Sequence, residues 1–258
     1  MHRPLPLHRA FLAASILAAL GAQPIRAQDA EPAGWTNTVT VYGWAVQMSG
    51  TAGVGPFTAT VDVPFSEILD NLKMGGMLNY QGRGEKWVAA ADVIYMKLGS
   101  DVARPSNGAT LAEVKLKEWL IEGDAGYRVT PWLDALVGIR IPVIVAEIVP
   151  DRDNPIISEK SGTESWVAPV IGARVELPFA RKFTAVARAD VGGFDLGGTN
   201  MTWQLAGYVN YRFSKLVSGT IGYRALAADY ETGTVGEQDR FEYDISNFGP
   251  AFGVSFTF

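Results

Sequence analysis

Pro250-Ala251-Phe252-Gly253-Val254-Ser255-Phe256-Thr257-Phe258 closes the sequence, and its reading decides the fold. Phe252, Val254, Phe256 and Phe258 alternate strictly with Gly253, Ser255 and Thr257. A period of two is a strand with one apolar face and one small, polar face. A soluble chain seldom bares such a row, because an exposed apolar strand invites aggregation. Two readings follow: the last core strand of a soluble sandwich, or a strand whose apolar face meets lipid.

The tail resembles the C-terminal strand of bacterial outer-membrane β-barrel proteins, which finishes in Phe. The resemblance implies that Phe256 and Phe258 form the assembly signal read by the barrel-assembly machinery, and that outer-membrane lipid and lipopolysaccharide surround the chain. The other end agrees. Arg3, His8 and Arg9 precede the apolar run 11–22, which is the length of a signal-peptide core and too short to span a bilayer. With Ile25-Arg26-Ala27 as the cleavage site, residues 1–27 are expected to be a signal peptide and residues 28–258 one barrel domain, exported to the outer membrane. No cysteine follows the run, so a lipoprotein is not expected, nor is an appended peptidoglycan-binding domain.

Three of the 22 basic residues (Arg3, Arg9 and Arg26) fall in the expected signal peptide, leaving 19 against 27 acidic ones, a net charge of −8. Nucleic acid is therefore not an expected partner. Cysteine is absent, and both histidines, His2 and His8, precede residue 28. Histidine is the usual general base near neutral pH and the commonest metal ligand. Its absence removes Ser-His-Asp triads, Asp-His dyads and HExxH zinc sites. No enzyme activity, cofactor or metal is expected; carboxylate-only and Ser-Lys chemistry need no histidine, but the sequence carries no motif for either.

Between the ends, alternating segments are separated by turn residues, the repeated signature of a transmembrane barrel. The pattern predicts ten strands, near 35–48, 73–82, 86–98, 110–129, 131–146, 165–178, 182–192, 200–213, 216–229 and 241–258. Their connections alternate short (81–85, 129–131, 178–182, 213–215) and long (49–72, 99–109, 147–164, 193–199, 230–240). Outer-membrane barrels have short periplasmic turns, longer extracellular loops and an even strand number. The expected fold is thus all-β, an antiparallel up-and-down transmembrane barrel of about ten strands. Trp87, Tyr95, Trp119, Tyr127, Trp203, Tyr211, Tyr223 and Phe258 lie near strand ends on the apolar face, as interfacial girdles do. In the first strand either Tyr42 and Trp44 or Val41 and Gly43 could face outward.

The other face lines the lumen. The candidate lining residues are Asp92, Glu122, Asp124, Arg128, Asp134, Arg140, Arg174, Glu176, Arg188, Asp190, Arg212 and Arg224, with Glu118 and Asp244 on the same reading. Every cation among them is arginine, whose planar fork holds bidentate pairs. Barrels of about eight strands are just wide enough to be filled by side chains. The lining is therefore expected to be a structural polar core or the wall of a narrow pore for small solutes.

Phe65, Ile68, Leu69 and Leu72 follow i, i+3, i+4, i+7, predicting a short amphipathic helix in the first long loop that caps or constricts the mouth. The stretch 61–72 resembles a recurring feature of small proteobacterial outer-membrane barrels, and brings no activity with it. Acidic loop residues Asp151, Asp153, Glu159, Glu231, Glu237 and Asp239 match no calcium motif and read as solvated charge. Two functions remain: a small-solute channel or membrane-integrity protein with an arginine–acid lumen, and a surface binding or adhesion protein acting through its loops.

Overall fold

The computed structural model describes residues 34–103, 110–150, 160–196 and 198–258. The expected signal peptide and Asp151, Asp153 and Glu159 lie outside the described residues. The elements are β1 (Thr36–Trp44), β2 (Gln47–Val54), β3 (Phe57–Val63), α1 (Phe65–Asn71), β4 (Leu72–Arg83), β5 (Trp87–Ala103), β6 (Thr110–Thr130) and β7 (Leu133–Pro150). There follow β8 (Lys160–Ser165), β9 (Ala168–Ala180), β10 (Phe183–Leu196), β11 (Thr199–Arg212), β12 (Val217–Thr232) and β13 (Phe241–Thr257).

Strand neighbours are paired antiparallel, and β1 pairs with both β4 and β13, so the sheet closes. Twelve of the thirteen strands build ten staves. β1 and β2 run end to end along β13, with Trp44 opposite Ala251 and Gln47 opposite Phe248 in one unbroken register. β9 and β8 run likewise along β7, with Arg140 opposite Ala168 and Val143 opposite Ser165. Each interruption faces a proline. Ala45 N donates to Pro250 O at 2.8 Å and Trp166 N to Pro142 O at 3.3 Å, but proline has no N–H to return the bond. β3 is the returning arm of a hairpin on β2 and belongs to no stave.

The last strand behaves as its alternation requires. Phe252, Val254, Phe256 and Phe258 are exposed on the outside, while Ala251 is buried. Phe258 and Asn37 exchange two backbone hydrogen bonds of 2.8 Å, fastening the closing seam at its base. The same parity leaves Val137 (59 % exposed), Ile221 (65 %) and Phe252 (58 %) facing outward around the wall. A belt of this extent exceeds the apolar patches that water-soluble surfaces carry. Aromatic pairs bound it: Trp87 with Tyr127 at 5.4 Å at the short-turn end, and Tyr95 with Trp119 at 4.4 Å towards the long loops. Eight residues separate the two levels on β5. At ~3.4 Å per residue and a tilt of ~40° this is a band ~21 Å tall, close to the apolar band of outer-membrane barrels.

Three details depart from the sequence reading. The first strand, ambiguous in sequence, turns Tyr42 and Trp44 inward and leaves Val41 exposed. The predicted link 49–72 is largely regular, a hairpin followed by the expected helix. Of the helix's apolar stripe only Ile68 is buried, at 3 % exposure; Phe65, Leu69 and Leu72 remain exposed, because two turns cannot lay four side chains into a narrow mouth. Ile68 joins an apolar cluster inside the barrel, so α1 caps the long-loop end.

Candidate functional site

Inward positions on the short-turn side of the lumen mostly carry hydroxyls, amides and charges, with Val88 and Leu136 as apolar exceptions, and those towards the long loops are mostly apolar. The boundary is an ionic layer at mid-height. Adjacent staves set it: Asp92 on β5 lies opposite Glu122 on β6, which lies opposite Arg140 on β7. Across the barrel, Asp190 on β10 lies opposite Gln204 on β11, which lies opposite Leu226 on β12, two residues above Arg224. Asp92, Glu122, Asp124, Arg140, Asp190, Gln204 and Arg224 are all buried.

Arg140 reaches over the lumen. Its Nε donates to Glu122 Oε2 at 2.8 Å, one Nη to Thr202 at 2.8 Å and the other to Asp190 at 2.7 Å. Arg188 donates to Asp190 Oδ2 at 2.9 Å and to both Asp124 oxygens at 2.8 and 3.2 Å, and stands 2.6 Å from Glu122 Oε1. Arg224 donates to Asp92 at 2.7 Å and Gln204 at 2.7 Å, with its guanidinium 5.2 Å over the Trp44 ring. The Tyr42 hydroxyl, 2.9 Å from both Asp92 oxygens, and the Gln204 amide, which donates to Asp190 at 3.0 Å, join the two sides into one network. Three arginines thus face four carboxylates, and Coulomb attraction in a poorly solvated space binds them tightly. Gly138 makes room: a Cβ there would stand 2.3 Å from Asp124 Oδ1.

Nearer the short-turn end, Arg174 donates to Asp134 Oδ2 at 3.1 and 2.8 Å, and Arg83 pairs with Asp134 at 3.3 Å and with Glu176. Of the expected lining residues, Arg128 and Arg212 point to the rim instead of the network. Arg128 donates to Gly84 O at 3.0 Å, and the exposed Arg212 to Arg181 O at 2.9 Å. Both are close enough to a turn for their long stems to reach its carbonyls. Asp244 is corrected outright. Tyr243 and Ile245 are the buried residues of that stretch, so parity places Asp244 on the outer face, opposite Asp229.

Two cavities flank the layer and share no lining residue. The lower one is a vestibule walled by Thr38, Thr40, Asn79, Tyr208 and Asn210, with Asp92, Glu122 and Arg224 as its roof. The upper one is small and apolar, lined by Trp44, Ile94, Met96, Leu120 and Leu226, with Arg140 beneath. Glu118 lines this upper cavity, hydrogen-bonded to Tyr243 and outside the ionic layer. Above it Trp166 stacks on Tyr230 at 4.1 Å and leans on Tyr243 at 5.5 Å, with Ile68 in the same cluster.

The apolar half of the lumen has no clear period in the sequence, although Pro142 and Ile144 stand on the inward parity of β7. Arg83 falls within the short link 81–85 by the turn pattern, and the alternation of the first strand leaves the side of Tyr42 open. Gln204 stands on the inward parity of β11, but its bridging role depends on what lies across the barrel.

No protein-family model matches the chain, and no curated protein does. Several solved structures share its architecture. The outer-membrane protease OmpT from Escherichia coli is similar at 9 % identity and a TM-score of 0.51, covering 90 % of this chain and 99 % of that one. The attachment invasion locus protein Ail of Yersinia pestis, solved with the heparin analogue sucrose octasulfate, gives 10 % identity and a TM-score of 0.41 over 87 % of this chain and 99 % of its own. Neisserial surface protein A gives 12 % identity and a TM-score of 0.32 over 87 % and 99 %. The fold is that of the bacterial outer-membrane β-barrels, an antiparallel barrel of ten staves.

Proposed function

We propose that this outer-membrane-type barrel works as a closed, membrane-integrity protein, whose lumen is a sealed polar core and conducts no solute in the state described. One observation carries the reading: Arg140, Arg188 and Arg224 are engaged with Glu122, Asp124, Asp190 and Asp92 from opposite staves, closing the lumen at mid-height. To pass, a solute must break several charge-assisted bonds and then cross an apolar cluster. A narrow channel is the weaker reading, because its charged wall would need unspent charge, and here the charges are spent on one another. The absence of histidine from residues 28–258 and the ion pairing of the mid-height carboxylates support a non-catalytic role.

The test is single-channel recording of the refolded protein in a planar bilayer, with and without residues 56–72. Both forms are expected to stay silent, because removing β3 and α1 leaves the ionic layer in place. Steady conductance from the intact chain would overturn the proposal. Conductance appearing only on deletion would transfer the seal to the α1 cap and revive the gated channel.

A further inference from the structure

We infer that the lower vestibule is a binding cup for a single neutral pyranose sugar, entered from the short-turn end and seated on Tyr208. The inference rests on the closed lumen proposed above, because the ionic layer forms the blind end of the cup. Thr38, Asn79, Tyr208 and Asn210 line this cavity and are half-buried, whereas Asp92, Glu122 and Arg224 above them are buried. The cavity offers about 180 Å³. A cavity of roughly 150 Å³ admits benzene, so the space suits one six-membered ring.

Water alone would fill a cup with purely polar walls, but this one has an aromatic seat. Tyr208 lies opposite Gly222 on β12, and a Cβ on that glycine would collide with Tyr208 Cδ1, so the ring leans on bare backbone and is held in place. A pyranose carries C–H groups on the faces of its ring, and these pack on the negative face of an aromatic ring. Around the seat stand polar groups with hydrogen-bonding capacity left over. The Tyr208 hydroxyl and the Gln81 amide have no hydrogen-bond partner among the described residues. The Asn210 oxygen accepts from Thr220, which leaves its amide N–H groups free, and Asn79 donates to Asp92 at 3.2 Å, which leaves its oxygen. Sugar hydroxyls both donate and accept, and so match amides that offer both. Charge narrows the class. The Asp92 oxygens are taken by Tyr42, Asn79 and Arg224, and Glu122 is paired with Arg140 and Arg188. Arg174 is paired with Asp134. An ionised ligand would lose its hydration here and meet no unspent opposite charge. The cup therefore favours a neutral ring.

The test uses the full barrel refolded in lauryldimethylamine oxide micelles, which carry no sugar. Folding is checked first by heat-modifiable migration, and D-glucose, D-galactose and D-mannose are titrated by saturation-transfer difference NMR. The wild type is expected to bind at least one of the three, and the corresponding uronic acid about tenfold more weakly. Tyr208→Leu should weaken binding of that hexose about tenfold, and Tyr208→Phe only about twofold, because the aromatic seat remains. Binding of none of the three hexoses overturns the site. Equal affinity for the hexose and its uronic acid also overturns it, a comparison within the wild type that stands even if the Tyr208 variants do not fold. Undiminished binding by a folded Tyr208→Leu barrel would place the sugar elsewhere and overturn the site as well. Liposome swelling separates the two claims: passage of the hexose through the barrel would refute the closed lumen, whereas absence of binding refutes the cup.

Discussion

Arg140→Met removes the centre of the ionic layer while roughly conserving side-chain volume. Arg140 is 1 % exposed and holds Glu122, Asp190 and Thr202 through bonds of 2.7–2.8 Å. Taking away one partner of a buried pair costs about 3–5 kcal/mol, most of it the penalty of a carboxylate left underpaired. Arg188 still touches Glu122 Oε1 at 2.6 Å and Asp190 Oδ2 at 2.9 Å, so neither acid is stranded completely. The lower end of that range, about 3 kcal/mol, is the expected loss. Glu122→Gln in the same background removes the excess negative charge, so the double variant should be more stable than additivity allows by about 1–2 kcal/mol. Reversible urea unfolding in micelles, followed by tryptophan emission and circular dichroism, measures both quantities. The exposed Arg181→Met is the control and should stay within about 0.5 kcal/mol of wild type. A cost below about 1 kcal/mol for Arg140→Met, or an additive cycle, would refute the claim that these charges are desolvated and mutually dependent.

Two further perturbations test the layout of the wall. Gly138→Ala pushes a methyl group into Asp124 Oδ1 and the Gly123 carbonyl, and should cost about 1–3 kcal/mol; Gly123→Ala, where the new group meets nothing within 4 Å, should be nearly neutral in the same unfolding assay. Tyr211→Asp should destabilise the barrel more than Asn210→Asp. Tyr211 packs outside between Phe183 and Phe213 at 4.9 and 5.0 Å, whereas Asn210 faces the wet vestibule; equal losses would mean the inner and outer faces are exchanged.

Much of the barrel can be read locally. The Phe252–Phe258 alternation and the strict order of short and long connections need no partner strand to be recognised, so strand number and direction follow from sequence. What escapes is whatever depends on the space enclosed. Beyond Arg140, β7 reads Ile141-Pro142-Val143-Ile144-Val145, apolar on both faces, and an apolar–apolar alternation has no visible period. The hydrophobic upper lumen is therefore silent in sequence. Asp244 escapes for a related reason: its charge suggests an inward position, but parity turns it outward, where beyond the girdle the outside is wet as well. The candidate ionic residues could be named, but not their pairing. Arg140 meets Asp190 and Thr202 only because closure brings β7 across from β10 and β11.

The proline in the closing seam has a mechanical consequence. Pro250 divides the contact of β13 with its last neighbour into two zippers, one of seven residue pairs below it and one of eight above. A tear starting at the outer rim, where β2 leads only into a hairpin, meets a gap in the ladder before it reaches the lower teeth. Cooperative opening needs neighbouring bonds to fail together, and here the chain of failure is cut. The proline acts as a crack arrester, letting the mouth breathe while the base of the barrel stays fastened.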